Sequence, residues 1–407
     1  MKTRRARAVL LAGAMVVATV LIADHPAQAS QPQPTAVAMA MSPASGHLFA
    51  VSEILGKSWV SMVNARSGNV VHAVSVPTGT SQTLVDDRSG HLFLSSRDAT
   101  VMLSTRTGRI LSRLSWKSGN ADMQALAGRL GFLYVTAGSK LHQIDTRTGR
   151  ELRSAPLSSQ PFASVAVQEG TAAVFTFDGA GVLRIYDART LTLRRKITIH
   201  NSPPAFTLAI APVLTSAENQ NAVFLISGQT RQVVSMLDAT SGAVRRTFRL
   251  QVPLGVAVAL DAKTSHAFMV SSGNGGTPPE TNGVVTTVDM TTGKVLRTAQ
   301  LGAVPGAFAF DHPTNHLFVL GRPPVSKQGD INFWSAIVSM IDTRTGLVLH
   351  TTIIPETAIV ASRVAVDSAN HKVYVTWATS KGNSLTVLDS RTNTLIPRLF
   401  LASEDGR

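Results

Sequence analysis

One motif recurs along the chain, and its spacing constrains the fold more than any other feature. An apolar run is followed by Asp, two residues, Ser or Thr, and Gly. It reads VNARSG at 63–68, LSTRTG at 103–108, IDTRTG at 144–149, LDATSG at 237–242, VDMTTG at 288–293 and IDTRTG at 341–346. Two degenerate copies, YDARTL at 186–191 and LDSRTN at 388–393, complete the series. The closing positions are 40, 41, 42, 51, 51, 53 and 47 residues apart. Repeats with such a period are supersecondary units that bury their apolar faces only against one another.

A second anchor precedes each copy, a turn leading into a short aromatic or aliphatic strand. Examples are GHLFAV (46–51), GHLFLS (90–95), GFLYVT (131–136), HAFMVS (266–271) and KVYVTW (372–377). A further apolar stretch lies before each, as in GVAVALD (255–261), GAFAFD (306–311) and RVAVD (363–367), and a fourth follows each motif, as in RILSRL (109–114). Runs rich in Val, Ile and Phe bounded by turn residues read as strands. The unit is therefore four short strands in about 40 to 50 residues, the signature of a β-propeller blade. Length alone would suggest two or three domains. The repeat replaces them with one all-β ring over 30–407, of eight four-stranded blades. Seven is the alternative, should a degenerate copy in the least regular stretch, 160–215, fold as an insertion.

The turn has a mechanism. Asp or Asn accepts from the backbone just ahead, and Gly takes the positive φ at which the hairpin reverses. Asn393 is the expected substitute for Gly, whereas Leu191 predicts a different turn or a strained one. Both ends of the chain hold whole modules, so no exchange of a strand between first and last blades is required. Closure then rests on side-chain packing.

The N-terminus reads as an export signal. Lys2, Arg4, Arg5 and Arg7 precede the uncharged run AVLLAGAMVVATVLIA (8–23), and Ala27-Gln28-Ala29 forms a small-x-small cleavage pattern. Cleavage is expected after Ala29, and the 16-residue run is short for a membrane span. These 29 residues hold four bases and one acid, so the formal charge of +14 becomes +11 in the remainder. No other apolar run reaches membrane length. The chain has no cysteine, which removes disulfides, thiolate metal sites, CxxCH haem attachment and cysteine nucleophiles.

Tyr134-Val135-Thr136 and Tyr374-Val375-Thr376, followed by Ala137 and Trp377 where Asn would complete the motif, resemble the YVTN-repeat β-propellers. These are related to the quinoprotein amine dehydrogenase-like propellers. The resemblance spans nearly the whole mature chain. It implies the propeller fold, and a function that ranges from dehydrogenase subunits to surface proteins and binding modules. The eight-bladed alcohol dehydrogenase-like propellers share the turn but place a docking Trp four residues after its Gly. Here those positions are Ser112, Arg153, Arg246, Arg297 and His350.

In a blade the first-to-second and third-to-fourth turns share one rim, here the regular one. Arg66, Arg106, Arg147, Arg189, Arg344 and Arg391 recur there as a ring of positive charge, with His47, His91, His266 and His316 at the other turn. Blade spacing keeps those histidines too far apart for one metal shell, so no metal is expected, and no cofactor. Asp86-Asp87, Asp311-His312 and Asp367 read as solvated turn residues. RRK (194–196) and RRTFR (245–249) fall in fourth strands and read as edge-protecting charges.

The opposite rim is irregular, and irregular loops carry function. Its long loops are 272–283, 321–335 and 377–384, all in the last three blades. They hold Arg322, Lys327, Asp330, Trp334 and Trp377, a set of indoles and charges suited to a protein, a glycan or a small polar ligand. The basic balance adds attraction to an anionic cell-envelope polymer. Aromatics at 5% without a stacking pattern argue against nucleic acid. The chain lacks GxSxG, HExxH, P-loop and EF-hand signatures. The first reading is an exported binding scaffold. The second is an enzyme or enzyme subunit of the quinoprotein dehydrogenase or lactonase kind, and the third a structural surface module.

Overall fold

The computed structural model describes residues 35–54, 57–80, 82–116, 121–157, 164–178, 181–199, 213–217, 221–227, 232–250, 255–261, 264–271, 282–324, 335–355, 360–379 and 382–399. They form 32 strands in eight antiparallel four-stranded sheets, each in sequence order. Blade 1 is β1 (Thr35–Ser42), β2 (His47–Ile54), β3 (Lys57–Asn64) and β4 (Val70–Val76). Blade 2 is β5 (Gln82–Asp86), β6 (His91–Ser95), β7 (Ala99–Ser104) and β8 (Ile110–Ser115). Blade 3 is β9 (Ala121–Ala127), β10 (Phe132–Ala137), β11 (Lys140–Asp145) and β12 (Glu151–Pro156). Blade 4 is β13 (Ser164–Gln168), β14 (Ala173–Phe177), β15 (Val182–Asp187) and β16 (Leu193–Thr198). Blade 5 is β17 (Val213–Ala217), β18 (Ala222–Ser227), β19 (Gln232–Asp238) and β20 (Val244–Leu250). Blade 6 is β21 (Gly255–Asp261), β22 (His266–Ser271), β23 (Val284–Asp289) and β24 (Val295–Gln300). Blade 7 is β25 (Val304–Asp311), β26 (His316–Arg322), β27 (Ser335–Asp342) and β28 (Val348–Pro355). Blade 8 is β29 (Val360–Asp367), β30 (Lys372–Thr379), β31 (Gly382–Asp389) and β32 (Leu395–Leu399).

The first strand of each blade packs on the first strand of the next, and β29 packs on β1, so the ring is closed with eight blades rather than seven. Among the described residues no strand is exchanged at the seam. The core is divided among the eight blade interfaces. Alternating side chains put one face of each sheet against the preceding blade and the other against the following one. Phe49, Val51 and Val60 of blade 1 meet Leu92, Leu94 and Val101 of blade 2. Leu48, Val63 and Ala65 on the other face meet Tyr374, Leu385 and Val387 of blade 8.

The turns follow the proposed chemistry. Asp145 Oδ1 accepts the backbone N–H groups of Arg147 (2.9 Å) and Thr148 (2.8 Å). Gly149 N–H donates to Asp145 O (2.8 Å) at φ +67°. Leu191 keeps the same turn: its N–H donates to Asp187 O (2.9 Å) at φ +58°. The strained alternative therefore holds. The leucine side chain is buried with Tyr134, Ala155 and Tyr186 at the blade 3/4 interface, which offsets a left-handed conformation that costs about 1–2 kcal/mol. Asn393 takes φ +57° as expected.

Polar latches join consecutive blades at the regular rim. Nδ1–H of His47 donates to Thr105 O (3.0 Å), of His91 to Thr146 O (2.6 Å), of His266 to Thr343 O (2.9 Å) and of His316 to Ser390 O (2.9 Å). Between blades 3 and 4 the Tyr134 hydroxyl and the Gln143 amide (2.6 Å) donate to Ala188 O. At the seam the Tyr374 hydroxyl (2.8 Å) and Lys372 Nζ (2.9 Å) donate to Ala65 O.

A second latch occupies the position four residues past four of the turns, where a docking Trp was absent. Ser112 donates to Gly149 O (3.2 Å), Arg153 to Arg189 O (2.5 Å), Arg246 to Thr291 O (2.9 Å) and Arg195 to Ser241 O. Arg195 and Arg246, from the two basic runs expected to guard sheet edges, thus bind the neighbouring blade.

Candidate functional site

The inner strands around the axis are apolar along most of their length: TAVAMAMS in β1, SVAVQ in β13, VPGAFAFD in β25. Acids stand mainly where these strands reach the regular rim. Asp86, Asp261, Asp311 and Asp367 are each at most 3% exposed. This corrects the expectation of solvated turn residues for Asp86, Asp311 and Asp367. The next blade covers the turn, and nearby donors reach each carboxylate, although Asp86 Oδ2 and Asp311 Oδ1 are buried without a hydrogen-bond partner. Asp367 accepts from Asn370 N (3.2 Å) and Nδ2 (2.7 Å), Asp261 from the Thr264 hydroxyl (2.9 Å), and Asp311 from the Ser390 hydroxyl of blade 8 (2.6 Å). Their neighbours Asp87 and His312 are exposed as expected. Among the described residues no three His, Cys, Asp or Glu side chains are grouped to hold a metal ion.

At the irregular rim, β26 of blade 7 packs against β29 of blade 8. Arg322 ends β26, half-buried, with Nη1 3.3 Å from Pro323 O. Trp377 lies near the end of β30, its backbone paired with Ala361 and Ser384. Lys327, Asp330 and Trp334 lie outside the described residues, as does most of loop 272–283. The structure thus sets Arg322 and the backbone of Trp377 on adjoining blades.

Arg363 was missed by sequence reasoning. It is the one cation in the eight inner strands. It follows a register shift between Ala361 and Arg363 and pairs with Thr376, next to Trp377. Burial pulls its pKa below the ordinary guanidinium value, the direction that desolvation of a cation dictates. Its one sequence signal was a charge heading the otherwise apolar run RVAVD.

A second cluster lies between blades 2 and 3. Trp116, just past β8, packs at 4.6 Å on the His142 ring of β11, and its Nε1–H donates to Thr100 Oγ1 (3.3 Å). His142 Nδ1–H donates to Glu151 Oε1 (2.8 Å). No sequence spacing pointed to this group, because its members come together only across a blade interface.

The profile of a family described as outer membrane protein assembly factor BamB matches residues 97–247. No curated protein matches the chain. Among solved structures, the chain resembles dihydro-heme d1 dehydrogenase NirN in complex with DHE, with TM-score 0.65 and 12% identity over 92% of this chain and 76% of that one. It resembles BamB from Moraxella catarrhalis with TM-score 0.56 and 14% identity, over 87% and 99% of the two chains. The computationally designed Ika8 protein gives 0.59 and 15%, over 87% and 96%. At such identities the likeness is one of fold.

Proposed function

We propose that the protein is an exported β-propeller of the YVTN-repeat kind that serves as a binding scaffold, taking its partner at the irregular rim of the last blades. One observation carries this reading. The repeated histidines, several outer-strand arginines and the inner-strand aspartates at the regular rim are engaged in hydrogen bonds that hold turns and blades together. The residues that break the repeat, Arg322, Arg363 and Trp377, belong to strands of the adjoining blades 7 and 8. Lys327, Asp330 and Trp334 belong to the same proposed surface. A partly desolvated guanidinium on blade 8 suits a partner that brings a carboxylate or hydroxyls, hence a protein segment, a glycan or a small polar ligand. The match to the BamB profile agrees with a scaffold role. Residues 1–29 are read as the export signal.

A photo-crosslinking residue at position 377, in the exported protein, tests this reading against the same probe at Arg106 on the regular rim. The expected result is a discrete adduct from position 377 that Arg322→Ala removes, and none from position 106. Equal labelling from both rims, or stoichiometric co-purification of a quinone or metal, would overturn it.

A further inference from the structure

Twelve large apolar side chains are exposed among the described residues, between 41% and 60%. All of them belong to the outermost strand of a blade or, for Leu347, to the residue before it. Eleven lie within three positions of the residue that closes the third-to-fourth turn, and every blade supplies at least one, from Val71 in blade 1 to Leu395 in blade 8. Because the blades repeat around one axis, these side chains stand at one level, as a ring just outside the regular rim.

Charge follows the same circumference. The eight outer strands contain ten Arg and Lys residues and a single acid, Glu151. The six turn arginines are exposed at the rim beside them. Arg66 and Arg106 stand in turns headed by Asn64 and Ser104, so no carboxylate of their own turn offsets them. The other six turns are headed by aspartates that each accept backbone N–H groups from within the turn. Four further aspartates of this rim are buried.

We propose that the regular rim docks face-on against an anionic lipid bilayer. A level ring of aliphatic side chains interleaved with arginines matches a flat target whose surface is negative and whose interior is apolar. A soluble polyanion would engage the cations and leave the aliphatic ring in water, so the pairing of the two favours lipid. The inference goes beyond the binding reading above: it concerns the opposite rim, and it leaves the irregular rim turned away from the membrane, open to a partner.

The test uses Gln31–Arg407, which forms one compact unit by itself. Its co-flotation is measured with vesicles of phosphatidylcholine alone and with vesicles containing about one-third phosphatidylglycerol. The expected result is binding to the anionic vesicles only, weakened at about 0.5 M salt. The pair Leu111→Ser and Leu296→Ser should lower binding about tenfold with the melting curve unchanged, since both side chains are exposed. The pair Arg66→Ala and Arg106→Ala should weaken it as well. Equal binding to both vesicle types, or none to the anionic ones, would overturn the proposal. So would a leucine pair that binds like the parent while soluble polyglycerol phosphate competes, since that places the site on a polyanion instead. None of these outcomes depends on the cross-link at position 377, so the two readings fail separately.

Discussion

Replacing Tyr374 by phenylalanine tests how the ring shuts. Blade 8 and blade 1 share no strand, and the buried carbonyl of Ala65 receives the Tyr374 hydroxyl at 2.8 Å and Lys372 Nζ at 2.9 Å. Tyr374→Phe keeps the ring volume in a fully buried position and removes one donor, while the lysine still satisfies the carbonyl. The loss should be about 1 kcal/mol, the net worth of one internal hydrogen bond. Lys372→Met alone should behave similarly. The double variant strands Ala65 O without either donor, and an unsatisfied buried acceptor costs about 1–3 kcal/mol. The double loss should therefore exceed the sum of the singles by about 1 kcal/mol. Burial pushes the Tyr374 phenol above its ordinary range, so the hydroxyl keeps its proton and the effect should not vary across neutral pH. Urea unfolding of the four species gives the coupling, and hydrogen exchange reports whether β1 and β29 open together. Tyr134→Phe is the internal comparison: Ala188 O also has two donors there, but the chain runs continuously through that interface. Additive losses, or unchanged exchange at the seam, would refute the idea that this paired latch closes the ring.

Three further outcomes follow from the turns. Gly293→Ala places a Cβ 2.7 Å from Phe248 Cγ at φ +75° and should cost about 2–4 kcal/mol, whereas Gly46→Ala, at φ +68° with nothing within 4 Å, should cost about 1; equal losses in urea unfolding would show that the approach of the preceding blade is irrelevant. Leu191→Gly relieves about 1–2 kcal/mol of left-handed strain but empties a site worth about 2–5, so a net destabilisation of about 1–3 kcal/mol is expected, and a stabilised variant in the same assay would contradict it. Desolvation works against the charge of Asp187, yet the N–H of Thr190 and the Arg194 guanidinium outweigh it and hold its pKa near about 2; the Ser241 N–H and then the Arg245 guanidinium do the same for Asp238, against a milder desolvation. Both carboxyls lie below the ordinary carboxylate value, so their stabilisation is complete above about pH 4 and is lost as pH falls toward 2. Acid titration of Asp187→Asn with Asp238→Asn should show a shallower decline over that window than the parent.

Much of the architecture could be read before any coordinates, and the reasons are local. The eight repeated turns and the strands between them depend on neighbours within a few residues, so the eight blades and the turn conformation at Asn393 were visible in the chain, and strain at Leu191 was one of two readings it allowed. What escaped depends on the next blade. Asp86, Asp311 and Asp367 look like turn residues until the following turn covers them. Arg195 and Arg246 look like edge charges until a carbonyl from the adjacent blade lies within reach. The candidate site divides the same way. Arg322 and Trp377 fall on adjoining blades as their positions in the repeat predict, while the desolvation of Arg363 arises from packing that no local pattern records.

The seam has a consequence for how such rings change size. Each blade is one uninterrupted stretch of sequence, and the first and last meet through packed side chains and side-chain hydrogen bonds to the Ala65 carbonyl. Duplication or deletion of a whole repeat therefore never splits a sheet between two ends of the gene. A ring whose last blade borrows a strand from the N-terminus must keep both halves in step, but here a blade can be gained or lost at any junction. The requirement is that the new neighbours present a carbonyl where a His, Tyr or Arg side chain arrives.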